Sequence, residues 1–248
     1  MLGRMAAGGL DHGRFALIQL DSIAGEVARN VHNAYSWCRR AFEEERVGWI
    51  FLHEGLTADY TAEPLQHARP LESSEVYGFS ALAARYGGHI ALGLNELWQG
   101  QAFISTVFCG PDPQRPILGV YRKSYLWPNP PDPPPGDGGD WFVDFLSSYV
   151  PHRQGYRLER GVLGAGGGTE VLDIGGMKLG CMICADGNVP QAWTTFEDQA
   201  SELIFWQNNR GGLGIGSGGP MDPQVRAREL RTPMILTNRV GFSHFYFQ

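Results

Sequence analysis

The sequence predicts a layered α/β architecture, on three observations. Apolar runs of about strand length alternate with stretches whose apolar residues recur at helical spacing. Two pairs of such runs are joined by short Gly/Pro loops, as antiparallel hairpins are. With 248 residues, the chain can bury one sizeable core without a second domain.

Taken in order, residues 1–14 are Gly/Ala-rich at the start, have no long apolar core, and read as a flexible extension, not a signal peptide. One domain is expected over 15–248. Phe15-Ala16-Leu17-Ile18-Gln19-Leu20 reads as a buried strand, and Val27, Val31, Ala34, Cys38 and Ala41 mark one face of the following helix. A strand over 47–52, a loop through Pro70 and a helix over 74–86 come next; Gly87-Gly88 ends that helix before a strand over 89–94. The runs 103–109 and 117–121 flank Gly110-Pro111-Asp112-Pro113, and 171–174 and 177–183 flank Gly175-Gly176, each reading as an antiparallel pair. A helix near 191–200 leads to a strand over 202–206, and a helix over 223–231 to a strand over 233–238. Residues 129–140, with Pro130-Pro131-Asp132-Pro133-Pro134-Pro135, form neither helix nor central strand, because Pro lacks an N–H and fixes φ. They are either a stiff loop at a pocket mouth or a surface insertion.

A hydrophobic content of 43% with 19% charged residues is ordinary for a soluble enzyme and argues against disorder. The formal net charge of -6 leaves no basic footprint for nucleic acid, and no apolar run is long enough for a membrane span. Cys38, Cys109, Cys181 and Cys184 lack paired zinc-type spacing. A reducing, cytoplasmic setting is the expectation. Cys181-Met182-Ile183-Cys184 also has the form of a redox motif, but it lies within and at the end of a strand, not at a helix start.

The chemistry is expected at strand ends. The apolar run through Ile183 stops at Cys184, and Asp186-Gly187-Asn188 and Pro190 follow as turn and helix start. A cysteine at such an elbow meets backbone N–H groups and a helix N-terminus, conditions that lower a thiol pKa. Glu54 and Lys123 stand after two other apolar strands. Singly, each has a plainer reading: a solvated carboxylate, a surface cation, a small buried hydrophobe. Cys181, inside its strand, reads as a core filler.

Three segments occur in this order: Phe51-Leu52-His53-Glu54-Gly55-Leu56, Tyr121-Arg122-Lys123-Ser124-Tyr125-Leu126, and Ile183-Cys184-Ala185-Asp186-Gly187-Asn188-Val189-Pro190. Together they resemble the Glu, Lys and Cys signatures of the nitrilase superfamily of carbon–nitrogen hydrolases. Gln19, Asn30 and Thr237-Asn238-Arg239-Val240-Gly241 match further parts of that pattern. The resemblance implies a four-layer α-β-β-α sandwich, no cofactor or metal, a homo-oligomer of two or more copies, and hydrolysis through a thioester. It makes Cys184 the nucleophile, Glu54 the general base and Lys123 the stabiliser of the oxyanion. A cation so aimed lowers the barrier by about 3 kcal/mol. It also implies a second acidic residue, for which Glu159 is the candidate; the other reading of Glu159 is a surface partner of Arg157 or Arg160. His53 stands where the family usually has Pro, and Gln191 where it has Glu. The sequence stops at Gln248, where family members usually continue with a strand pair and a tail, so the resemblance implies a short or incomplete member.

Within the superfamily, Cys184-x-Asp186-Gly187-Asn188-x-Pro190-x-x-Trp193 looks most like the aliphatic amidase and formamidase branch. A linear amide, hydrolysed to carboxylate and ammonia, is the expected substrate; an N-carbamoyl amide or a nitrile is the alternative. Tyr60, Trp127, Ala185, Asp186 and Trp206 are the candidates for contacting it. Arg210 is a candidate for an acidic substrate, or else a surface loop residue. A non-catalytic scaffold or interaction protein is the reading from a different class, and an intact Glu, Lys and Cys set argues against it.

Overall fold

The computed structural model describes residues 2–4, 14–61, 63–126, 163–209 and 222–246. The elements are β1 (Leu2–Arg4), β2 (Arg14–Leu17), α1 (Val27–Glu45), β3 (Trp49–Phe51), α2 (Pro64–His67), α3 (Ser74–Tyr86), β4 (His89–Trp98), β5 (Gln101–Cys109) and β6 (Ile117–Arg122). They continue with β7 (Glu170–Ile174), β8 (Met177–Ile183), α4 (Pro190–Asp198), β9 (Leu203–Gln207), α5 (Pro223–Leu230), β10 (Met234–Thr237) and β11 (His244–Tyr246). Of the segment before Phe15, set apart above as an extension, Leu2–Arg4 pairs antiparallel with β2.

Among the described residues the strands form two sheets, of six in the order β1-β2-β3-β4-β5-β6 and of five in the order β11-β10-β9-β8-β7. β2, β3 and β4 run parallel, as do β8, β9 and β10. Strands buried on both faces need apolar residues on both, which explains runs such as Leu203-Ile204-Phe205-Trp206. Alternate residues then serve different layers. Leu203, Phe205, Leu179 and Ile183 face Phe51, Ile104 and Phe108 in the core between the sheets. Ile204, Trp206 and Met182 face the other way, against Trp193, Phe196 and Ala227 of α4 and α5. On the first sheet Ile50, Leu52 and Leu92 pack under α1 and α3, on Ala34, Cys38, Phe42, Phe79 and Leu82. The result is the α-β-β-α sandwich.

Sequence cues set the helix limits. Ser73 caps α3 by accepting from Val76 N, and Gly87 takes a left-handed φ of 65° to end it. No helix among the described residues is long and apolar enough to cross a membrane.

Candidate active site

Past β3 the chain runs through Leu52 and His53 to Glu54, all buried. This segment hangs from the ends of the second sheet. Leu52 O accepts from Gln207 Nε2 at 2.9 Å and from Thr237 Oγ1 at 3.0 Å. Glu54 N donates to Asn208 O at 3.2 Å, and Glu54 O accepts from Asn209 Nδ2 at 3.2 Å. On its other side lies Gly93 of β4. A Cβ there would sit 1.9 Å from His53 O, so only glycine lets strand and segment lie this close.

Glu54 Oε1 accepts from Lys123 Nζ at 2.8 Å and from Tyr60 OH at 2.5 Å. Both ionic side chains are 0% exposed. Desolvating two charges is offset only by a close pair with further hydrogen bonds, and Tyr60 supplies one. The loop between Glu54 and Tyr60 is stapled from two directions. Asn95 Oδ1 accepts from Thr57 Oγ1 at 3.1 Å and Ala58 N at 2.9 Å, while Asn95 Nδ2 donates to Asp59 O at 3.0 Å. Asn209 Nδ2 donates to Asp59 Oδ1 at 2.6 Å.

Cys184 follows β8 with a φ of 45°, in the left-handed region that a non-glycine residue rarely occupies. Such strain costs on the order of 1–3 kcal/mol and persists where the surroundings over-determine it. Here Trp206 Nε1 donates to Cys184 O at 3.1 Å and Trp193 Nε1 to Gly187 O at 2.9 Å. A 3-10 turn over Cys184–Asn188 intervenes before α4, so the sulfur sits at a tight turn and not directly at the helix N-terminus. Cys184 is partly exposed, whereas Cys181 is buried and its thiol is pushed well up by burial.

Asp186 ties this elbow to the end of β6. Its Oδ2 accepts from Ile183 N at 2.8 Å and Tyr121 OH at 2.7 Å. Its Oδ1 accepts from Tyr125 N at 2.7 Å and Ser124 N at 3.1 Å. Burial pushes the carboxyl up to about 6, against the opposing pull of these donors and of the Lys123 cation.

The structure therefore brings Glu54, Lys123 and Tyr60 into hydrogen-bonding contact and joins the segments bearing Lys123 and Cys184 through Asp186. Of the expected substrate contacts, Ala185, Asp186 and Trp206 are buried; Asp186 directs both oxygens to the chain itself, and Trp206 supports the elbow. Glu159, Trp127, Arg210 and the Pro-rich 129–140 stretch lie outside the described residues. Asn95, Gln207 and Asn209 were not singled out from the sequence. The available signal was Gln207-Asn208-Asn209, a polar run directly after an all-apolar strand.

The sequence matches the carbon–nitrogen hydrolase family over residues 14–247. The chain belongs to that family. Solved structures share the fold of this carbon–nitrogen hydrolase at low identity. Nit3 of Saccharomyces cerevisiae, a member of branch 10 of the nitrilase superfamily, is 17% identical with a TM-score of 0.65, over 90% of this chain and 74% of that one. An amidase from Nesterenkonia sp. is 16% identical with a TM-score of 0.66, over 96% of this chain and 81% of its own. A mutant of that amidase takes up the acetamide moiety of fluoroacetamide covalently at its active-site cysteine. A carbon–nitrogen hydrolase from Helicobacter pylori G27 is 21% identical with a TM-score of 0.62, over 90% and 72% of the two chains. No protein of curated function matches the sequence.

Proposed function

We propose that this carbon–nitrogen hydrolase cleaves short linear amides to carboxylate and ammonia through a thioester on Cys184. The observation that carries the reading is the buried Glu54–Lys123 pair, set on a segment that Asp186 ties to the Cys184 elbow. In this reading Glu54 takes the Cys184 proton as the sulfur attacks the amide carbon, since the thiolate is the competent nucleophile. Charge develops on the former carbonyl oxygen, where the Lys123 ammonium and N–H groups of the elbow receive it. The C–N bond breaks as Glu54 returns the proton to nitrogen, and ammonia leaves. Glu54 then deprotonates water, which attacks the thioester; the acid departs and the thiol is restored. Tyr60, on the same Glu54 oxygen as Lys123, holds the carboxylate in one orientation. Glu159 stays the proposed second acidic group.

The amide preference rests on the Asp186-Gly187-Asn188 pattern with Trp193, and is supported by the Nesterenkonia amidase among the structural relatives. A panel of short aliphatic amides, the matching nitriles and N-carbamoyl amino acids tests it, with amides expected to show the highest kcat/KM. Intact mass should reveal an acyl adduct that Cys184→Ala abolishes together with turnover, while Cys181→Ala retains most of both. Faster nitrile hydrolysis would refute the substrate class; an adduct persisting in Cys184→Ala would refute the nucleophile.

A further inference from the structure

We infer that Asp186 is a positioning residue that sets Lys123 relative to Cys184, and does not bind substrate. The inference rests on the Glu54-Lys123-Cys184 reading above and adds the part that holds its two halves in register. Lys123 follows β6 of the first sheet and Cys184 follows β8 of the second, so no strand pairing fixes one against the other. The Asp186 carboxylate supplies that link at the closest available points. Ser124 N belongs to the peptide leaving Lys123, and Ile183 N lies one residue before Cys184. Tyr121 OH and Tyr125 N bind the same carboxylate from either side of Lys123. A fully buried carboxylate carrying four donors is held in one plane, because turning out of it takes this acceptor from the buried Ile183 N–H and Tyr121 OH.

Three of the four contacts are backbone N–H groups that need an acceptor, and an amide of the same shape cannot provide one to all three. In Asp186→Asn one end becomes an NH2 that must face Ile183 N–H and Tyr121 OH, or else Ser124 N–H and Tyr125 N–H. At least one backbone N–H loses its acceptor in either orientation, while volume is kept. Misplacing a reacting group by about 1 Å costs on the order of a hundredfold in rate. The loss should fall on the oxyanion-stabilising step, and so on kcat.

The test compares wild type, Asp186→Asn and Tyr121→Phe on the preferred amide, with circular dichroism to confirm folding. Asp186→Asn should lower kcat about a hundredfold with KM changed less than about threefold. Tyr121→Phe, which deletes one donor and leaves the carboxylate in place, should lower kcat by a smaller factor, again with little change in KM. If Asp186→Asn does not fold, Tyr121→Phe alone decides through the same split between kcat and KM. A kcat within threefold of wild type, or a loss confined to KM, overturns the positioning role. Cys184→Ala, run in parallel, separates the two claims: if it retains turnover the catalytic reading fails, and if only it loses turnover the positioning inference fails.

Discussion

Two cysteines three residues apart meet opposite surroundings. Cys181 points into the core between the sheets, where burial keeps its thiol protonated; Cys184 sits partly exposed on a left-handed turn. The side chain that organises the turn, Asp186, should leave its own mark on stability. Its folded pKa of about 6 stands above the ordinary 3.8. Between those values the folded protein holds a proton that the unfolded chain releases, so this group's contribution to stability falls as pH rises through about 4 to 6. Urea unfolding of wild type and Asp186→Asn across that window should show wild type losing stability relative to the variant as pH rises, since the other titrating groups cancel in the difference. Parallel curves would contradict the shift.

At the scale of elements, the site is a set of loops fastened to strand ends. The closeness of β4 to the Glu54 segment depends on Gly93, whose missing Cβ makes room for His53 O. Gly93→Ala must displace backbone, which nothing nearby absorbs. It should lower the melting temperature and reduce kcat by at least tenfold, and a scan with initial rates checks both. Element types were readable because periodicity and turn residues are local signals. The helix over Ser74–Tyr86 and both hairpins have the predicted places. Boundaries read less well. β2 stops at Leu17, although Ile18 N still bonds Phe51 O at 3.1 Å; just beyond it Gln19 Nε2 donates to Gly241 O, 222 residues away. No local signal carries such a contact.

At the scale of the whole molecule, the two sheets are joined at the site end by a buried polar bridge. Thr106 Oγ1 of the first sheet donates to Gln207 Oε1 of the second at 2.8 Å, and Gln207 Nε2 donates back to Leu52 O. Gln207→Leu keeps the bulk and removes both bonds, leaving Thr106 without this acceptor. The expected cost is about 1–3 kcal/mol, read from urea unfolding, with a fall in kcat because the Glu54 segment loses one of its two ties at Leu52. Unchanged stability would mean the bridge adds nothing beyond packing.

By itself the sequence determined the α/β class, the three strand-end residues and the order of the longer elements, but not β1, α2 or β11, which stand where an extension, a loop and no further strand were expected. Hydrophobic period, turn chemistry and each single motif are written within a few residues of one another. Only the tertiary structure decided that Glu54 and Lys123, 69 residues apart, form a buried pair, and that Asp186 faces the chain and not a pocket. The first follows from strand order within the first sheet, which sets the ends of β3 and β6 near each other across β4 and β5; the second follows from how the two sheets stack. Stacking is selected by the summed burial of many side chains, and it fixes long-range polar partners that no single segment specifies.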